Sequence, residues 1–313
     1  MWTVRALAVA LTLAAVAALA ACGLGPTESR QAGVELRVTR EFGQERIHAT
    51  ARRPSRGGDT ALRFLQAERR VETAYAGGSV RSIDGIEAGG SSGGPAWSYF
   101  VNGLEASAAA AERKLYPGDV VQWDYRRRGA AMSIPAIVGA YPEPLLSGVE
   151  GKRLPVRVEC ADDGGRACRE VERRLSEAGV TASVGSFGDG AGENVLRVVV
   201  APWSLARRVR AATLLERGPT ASGVFARFGA GGRRLELLDA SGRVARTAPA
   251  GTGLVAATAV EGEQRVWLVT GGDEAGVERA AVSLDRSILS DRFAVAVLPD
   301  AVEALPLGAG KRR

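Results

Sequence analysis

The stretch Trp97 to Gly103 reads WSYFVNG. In an extended chain Trp97, Tyr99 and Val101 face one way while Ser98, Phe100 and Asn102 face the other. Asn102-Gly103 then supplies the positive φ angles of a tight hairpin turn. Val120 to Tyr125 alternates in the same manner, with Val121, Trp123 and Tyr125 opposite Val120, Gln122 and Asp124. Large side chains therefore stand on both faces of one small sheet. Only one helix is expected nearby, capped by Asp59 and carrying Ala61, Leu62, Phe64 and Leu65 on one side. Either a second layer covers the remaining face, or some aromatics line a ligand site. Residue types alone favour core or interdomain packing over a binding wall.

Around this pair the chain reads as short strands: Val34 to Val38, a strand near Ile47, Val71 to Tyr75 and Ser79 to Ile83. With one helix against a small mixed sheet, residues 34–147 form an α+β domain of the β-grasp kind. The Pro/Gly-rich stretch Tyr141 to Gly151 marks a boundary. From 152 to 305 strands and helices are interspersed. Leu154 to Cys160 is a strand, followed by a helix striped by Ala167, Val171, Leu175 and Ala178. Val195 to Ala201 is the most apolar strand and a central one. A helix with Leu205, Val209, Ala212 and Leu215 on one face follows, and another from Asp273 through Val277, Ala281, Leu284 and Ile288. This half is an α/β layered domain with a mixed sheet. Residues 306–313 form a basic tail. At 313 residues and 46% hydrophobic, the chain can fill two cores.

The N-terminus is different. One positive charge lies in Met1 to Arg5, Ala6 to Ala21 is apolar apart from Thr12, and the run closes on Leu19-Ala20-Ala21-Cys22. Such a run is an export signal, and its 16 residues are short for a membrane-spanning helix. LAACG resembles the lipobox of bacterial lipoproteins. That resemblance implies cleavage before Cys22, lipid on its thiol and new amino terminus, and a protein held by lipid at the outer face of the cell membrane. Residues 1–21 are then a signal peptide and 22–33 a tether. Cys160 and Cys168 remain, and an even pair outside the cytoplasm reads as a disulfide. His48 is the sole histidine, so a His/Cys zinc set is unavailable. The formal charge of +6 reads as solvated surface spread over Arg52-Arg53, Arg69-Arg70 and Arg126 to Arg128, with a preference for anionic lipid or wall polymer. No nucleic-acid partner is expected of an exported chain.

Catalytic patterns are weak. Gly90-Ser91-Ser92-Gly93-Gly94 fits G-x-S-x-G but lacks the strand before and helix after that a nucleophile elbow needs. We therefore expect no enzyme and no cofactor. Gly188 to Gly192 is a flexible loop. Thr270-Gly271-Gly272-Asp273 joins a strand to a helix, where its amides would meet an anion or be capped by Asp273. Trp203 and Trp267 read as core, or as the walls of a cleft.

The order SIDGIEAG (Ser82 to Gly89), a Gly/Ser loop, WSYFVNG, then LYPGDVVQWDY (Leu115 to Tyr125) resembles the transcobalamin C-terminal-like domain. Met132 to Pro144 resembles the continuation found in relatives that are bacterial lipoproteins. The resemblance implies a β-grasp fold and a binding module, which in animal cobalamin carriers closes over one face of the corrinoid. Their helical barrel has no counterpart here. The ligand contacts it implies are Ile83 and Asp84 in the loop region, with Trp97, Tyr99 and Trp123. Of these, Trp97 or Tyr99 with Trp123 should remain at a partly exposed face or at the cleft between the halves. The expected function is a lipid-anchored extracytoplasmic binding protein for a corrinoid or similarly bulky ligand, working with a membrane transporter. The alternative is a structural or adhesive surface protein whose first domain docks to wall polymer or another protein.

Overall fold

In the computed structural model the Asn102-Gly103 turn has the expected conformation, with φ of 55° and 75°. The structure describes residues 33–54, 58–74, 78–89, 94–188, 194–229, 231–260 and 264–308. The export signal, Cys22, the serines of the G-x-S-x-G string and most of the basic tail lie outside the described residues.

Strands β1 (Glu35–Arg40) and β2 (Glu45–Ala49) form a hairpin, followed by helix α1 (Ala61–Glu68). Thr60, not Asp59, is its N-cap: the Thr60 hydroxyl accepts from the Arg63 amide at 3.3 Å. A three-stranded ribbon of β3 (Val71–Ala74), β4 (Ser79–Ile83) and β5 (Ile86–Glu87) comes next. Then β6 (Pro95–Val101), β7 (Leu104–Glu105) and β8 (Val120–Arg127) complete a five-stranded sheet of order β2-β1-β8-β6-β7. Strand β8 returns parallel to β1, pairing Leu36 with Val121 and Val38 with Trp123. A terminal strand inserted beside the first, with one helix on one face, is the grasp arrangement.

The second half contains β9 (Val156–Cys160), α2 (Arg166–Glu177), β10 (Ala182–Ser186) and β11 (Leu196–Pro202). It continues with α3 (Trp203–Ala206), α4 (Arg210–Thr213), a 3-10 turn (Leu214–Arg217) and α5 (Pro219–Ser222). Strands β12 (Ala226–Phe228), β13 (Leu235–Leu238) and β14 (Val244–Thr247) make a small sheet. The chain ends with β15 (Gly253–Val260), β16 (Gln264–Gly271), α6 (Glu274–Val282), α7 (Arg286–Leu289), β17 (Ala294–Val297) and β18 (Val302–Leu305). The main sheet has order β10-β9-β11-β16-β15-β17-β18, parallel from β10 to β16 and antiparallel beyond. Its period of two serves two cores. Val198, Val200, Trp267 and Val269 pack under α2 and α6, while Val199, Ala201, Val266 and Leu268 face the opposite way. The chain is mixed α and β throughout.

Two helices read as continuous are broken. The one through Leu205 and Leu215 splits because Val209 is extended (φ −76°, ψ 124°). The one through Leu284 stops at Ser283, and Asp285 starts α7 by accepting from the Ser287 amide at 2.8 Å. Short polar side chains compete with the helical ladder in this way. Cys160 and Cys168 form a disulfide with Cα atoms 5.9 Å apart, joining the end of β9 to the first turn of α2. In the loop-entropy model so short a ring stabilises the fold by about 2–3 kcal/mol.

From Gly33 onward the chain is one compact unit. The second face of the five-stranded sheet lies against the α/β half, and Phe42 and Phe100 from the first half belong to the same cluster as Phe225 and Phe293 from the second. Glu35, Arg37 and Thr39 of β1 are consequently buried.

Candidate functional site

The α1 face of the five-stranded sheet gathers four of the five residues expected to contact a ligand. Ile83, Trp97, Tyr99 and Trp123 share one core with Leu36, Leu62 and Leu65. Trp97 and Tyr99 are 8% exposed and Trp123 is 2% exposed, so the expectation of an open aromatic wall is corrected. Tyr99 stacks on Trp123 with ring centres 4.8 Å apart, and Trp97 leans on Tyr125 at 5.1 Å. An eight-residue helix is too short to hide these rings. The β3–β5 ribbon and the segment after β7 close over them, contributing Ile86, Ala88, Ala106, Ala110 and Leu115. The polar ends of Trp97 and Tyr99 are satisfied from the same covering chain, whereas Trp123 Nε1 is buried with no hydrogen-bond partner among the described residues. Trp97 Nε1 donates to the Ile86 carbonyl at 3.0 Å, and the Tyr99 hydroxyl donates to the Ala108 carbonyl at 2.6 Å. Burial pushes the Tyr99 phenol up to about 12, with nearby Arg113 opposing.

Asp84 stands apart from this core. It occupies a left-handed turn position (φ 51°) before Gly85, accepts from Arg69 Nε at 2.6 Å and from the Arg70 amide at 3.2 Å. Arg69 also approaches His48 Nδ1 at 3.4 Å. The Asp84 carboxylate is thus held at the edge of the ribbon by a charge-assisted pair.

The opposite face of the same sheet is the feature that sequence reasoning missed. Glu35, Arg37 and Thr39 of β1 and Gln122, Asp124 and Arg126 of β8 are all buried there. Arg37 Nε bonds Glu35 Oε1 at 2.7 Å, and its Nη1 donates to the Gly139 carbonyl and lies 3.6 Å from Asp291 Oδ1. Gln122 Nε2 donates to the Asp291 carbonyl at 2.8 Å, Arg46 Nε bonds Asp291 Oδ2 at 2.6 Å, and Arg286 pairs with Glu35. Asp124 accepts from the Thr39 hydroxyl at 2.7 Å and from the amides of Gly43 and Phe42 at 2.9 and 3.2 Å. The Arg126 guanidinium sits 5.3 to 5.8 Å from the ring centres of Phe293, Phe100 and Phe42, a cation held against three aromatics. Its Nε and Nη1 have no hydrogen-bond partner among the described residues. The available signal was the run of polar residues at alternate positions on two strands that pair with each other. Together these groups join the two halves through a continuous polar seam.

Burial raises the Asp124 carboxyl above its ordinary value of 3.8, against the pull of Arg126, Thr39 and the two amides. The folded chain therefore holds the Asp124 proton more tightly than the unfolded chain. The stability this proton confers is present below pH 3.8 and is lost as pH rises through the higher folded value. Asp124→Asn, which cannot ionise, should gain on the wild type as pH rises from about 4 into the weakly acid range. Urea unfolding of both proteins at several pH values checks this, and parallel stability curves would contradict it.

Other sequence candidates resolve towards structure. Asp273 Oδ1 accepts from the Gly276 amide at 2.8 Å and Oδ2 from the Gly251 amide at 2.9 Å, so this side chain fills the α6 N-terminus where an anion would sit. Trp203 and Trp267 are buried. A cleft of about 490 Å³ lies beside α2 and α6, where Arg166, Glu170, Glu278 and Arg279 line it. Among the described residues no three His, Cys, Asp or Glu side chains are gathered to hold a metal, and no helix is long and apolar enough to cross a membrane.

Residues 58–127, from the approach to α1 through β8, match the family model described as Domain of unknown function (DUF4430), a family grouped with the transcobalamin-like domains. No curated protein and no solved structure matches the chain significantly.

Proposed function

We propose that this is a lipid-anchored extracytoplasmic binding protein. It presents its DUF4430 domain for a corrinoid or a similarly bulky planar ligand, in association with an uptake system. The observation that carries this reading is the family match over residues 58–127, on the segment whose motifs resemble the corrinoid-closing domain. Two further observations support export: the LAAC sequence ending at Cys22, and the Cys160–Cys168 bond, which suits an oxidising compartment. Because Trp97, Tyr99 and Trp123 are packed inside, ligand contact falls to the rim of the ribbon, at Asp84, Gly85 and Ile86.

The test is the absorbance spectrum of mature protein incubated with a corrinoid and then desalted. Corrinoid bands should travel with the protein and weaken in Asp84→Asn, a residue that tolerates the left-handed turn, with the melting temperature confirming that the variant folds. A protein that emerges colourless would count against ligand capture. It would favour the structural reading, to which the interlocked seam between the halves lends support. Export is tested separately: Cys22→Ala should release processed protein or leave precursor. Unchanged mobility and detergent partitioning would remove the anchor from the reading.

A further inference from the structure

We infer that the arginine-rich layer between Pro202 and Leu235 is an electrostatic docking surface for the anionic headgroups of a phospholipid membrane. This rests on the lipid-anchor reading for its setting, and its test does not depend on the anchor.

Between Pro202 and Leu235 the chain carries seven arginines and one acidic residue, Glu216, a surplus equal to the formal +6 of all 313 residues. Several arginines of the other basic runs are paired or buried. Arg52 donates to the Gly118 carbonyl at 2.7 Å and lies 3.7 Å from Glu143, Arg53 pairs with Glu68 at 2.9 Å, and Arg69 pairs with Asp84. Arg126 is fully buried.

The fold turns the arginines of this segment outward. In α3, α4 and the 3-10 turn, Trp203, Ala206, Val209, Ala211, Ala212 and Leu215 pack into the core, while Arg207, Arg208, Arg210 and Arg217 are exposed between them. The loop before β13 brings exposed Arg233 and Arg234 to the same region. Trp203 stacks on Phe228 at 4.5 Å, and a Cβ placed on Gly232 would touch the Trp203 ring at 3.1 Å. Arg207 spends its charge on Glu216 at 2.6 Å, and Arg227 on Glu236 at 2.7 Å. Arg208, Arg217, Arg233 and Arg234 meet no acidic side chain among the described residues.

These four exposed arginines, carried on a buried apolar support, suit a surface of phosphate esters, to which guanidinium groups bind in a forked geometry. With the large apolar groups of the layer facing inward, adhesion would be electrostatic rather than insertive, and therefore salt-sensitive. The tether from Cys22 to Gly33 spans at most about 40 Å when extended, which keeps the body close to the headgroups. That proximity selects lipid over a free phosphate as the occupant.

The probe is the unlipidated chain from Gly23 onward, which keeps the whole compact unit, sedimented with phosphatidylcholine vesicles with and without phosphatidylglycerol. It should bind only the anionic vesicles and be released at high salt. The triple variant Arg208→Glu/Arg233→Glu/Arg234→Glu should partition at least about tenfold more weakly. A control with the same charge change on the first half, Arg63→Glu/Arg70→Glu/Arg81→Glu, should stay within about threefold of the parent, with melting temperatures confirming that both fold. Absence of anionic binding, salt-insensitive binding, or equal loss in the control would overturn the proposal. So would binding to an acidic wall polymer with none to vesicles. A failure of the Cys22 experiment would leave the vesicle result standing, so the two claims are separable.

Discussion

Phe42→Ala should be among the most damaging single substitutions in this chain, costing about 3–5 kcal/mol. Phe42 sits in the loop between β1 and β2 and is 1% exposed. Its ring meets Phe225 at 5.1 Å and Phe293 at 5.5 Å, both edge-on, so one loop residue of the first half plugs the core of the second. The backbone there is left-handed at Glu41, Phe42 and Gly43, with φ of 53°, 61° and 73°. A non-glycine residue held in that region costs of order 1 kcal/mol or more, so the ring's burial must outweigh the strain. Gly43 is needed for a second reason: a Cβ there would fall 1.9 Å from the Asp291 carbonyl oxygen across the seam. Phe42→Gly should therefore be milder than Phe42→Ala, since both delete the ring and only glycine relieves the backbone. Calorimetry and limited proteolysis read the result. If Phe42→Ala unfolds within about 1 kcal/mol of the parent, the plug is not what joins the halves.

The sequence exposes the elements of this seam better than their assembly. Alternation in β1 and β8 is visible, but a polar face opposite an apolar one looks the same whether it meets water or a matching polar surface. Glu35 illustrates the difference. Burial works to raise its pKa, yet Arg37 and Arg286 together hold the carboxyl below the ordinary value, and Arg286 lies 251 residues away in the chain. No local pattern announces such a partner. Phe42 is equally silent, a single aromatic in a short loop with no period around it.

Large side chains on both faces of β6 and β8 were legible, and they left a second covering layer and a ligand wall as alternatives. The covers themselves were not legible. One is the α/β half, and the other is a ribbon and an alanine-rich segment with little hydrophobic signal of their own. The closing chain supplies backbone carbonyls to Trp97 and Tyr99, which turns aromatics that resemble a ligand wall into interior ones. The disulfide was legible because an even cysteine pair, read together with the expected export signal, suffices to infer it. The basic layer was legible in composition and was obscured by counting arginine doublets one by one, since burial and pairing decide which of them carry free charge.

A buried pair on the main sheet tests how far charge in these interiors stabilises the fold. Arg197 of β11 and Glu159 of β9 meet in a two-pronged pair, Nε to Oε1 at 2.7 Å and Nη2 to Oε2 at 2.6 Å. Their side chains are 5% and 0% exposed. Removing two charges from water costs several kcal/mol each, and their attraction roughly offsets that cost when the geometry is this good. Arg197→Met alone strands a buried carboxylate and should lose about 3–5 kcal/mol. Glu159→Leu alone takes the bidentate carboxylate away from the buried guanidinium and should also be strongly destabilising. The double variant removes both desolvation costs together and keeps apolar volume between β9 and β11, so it should return to within about 1 kcal/mol of the parent or exceed it. Denaturant unfolding of the four proteins gives the coupling energy directly. Single losses that simply add in the double variant would mean that the two groups act independently, and that packing rather than charge pairing governs this face of the sheet.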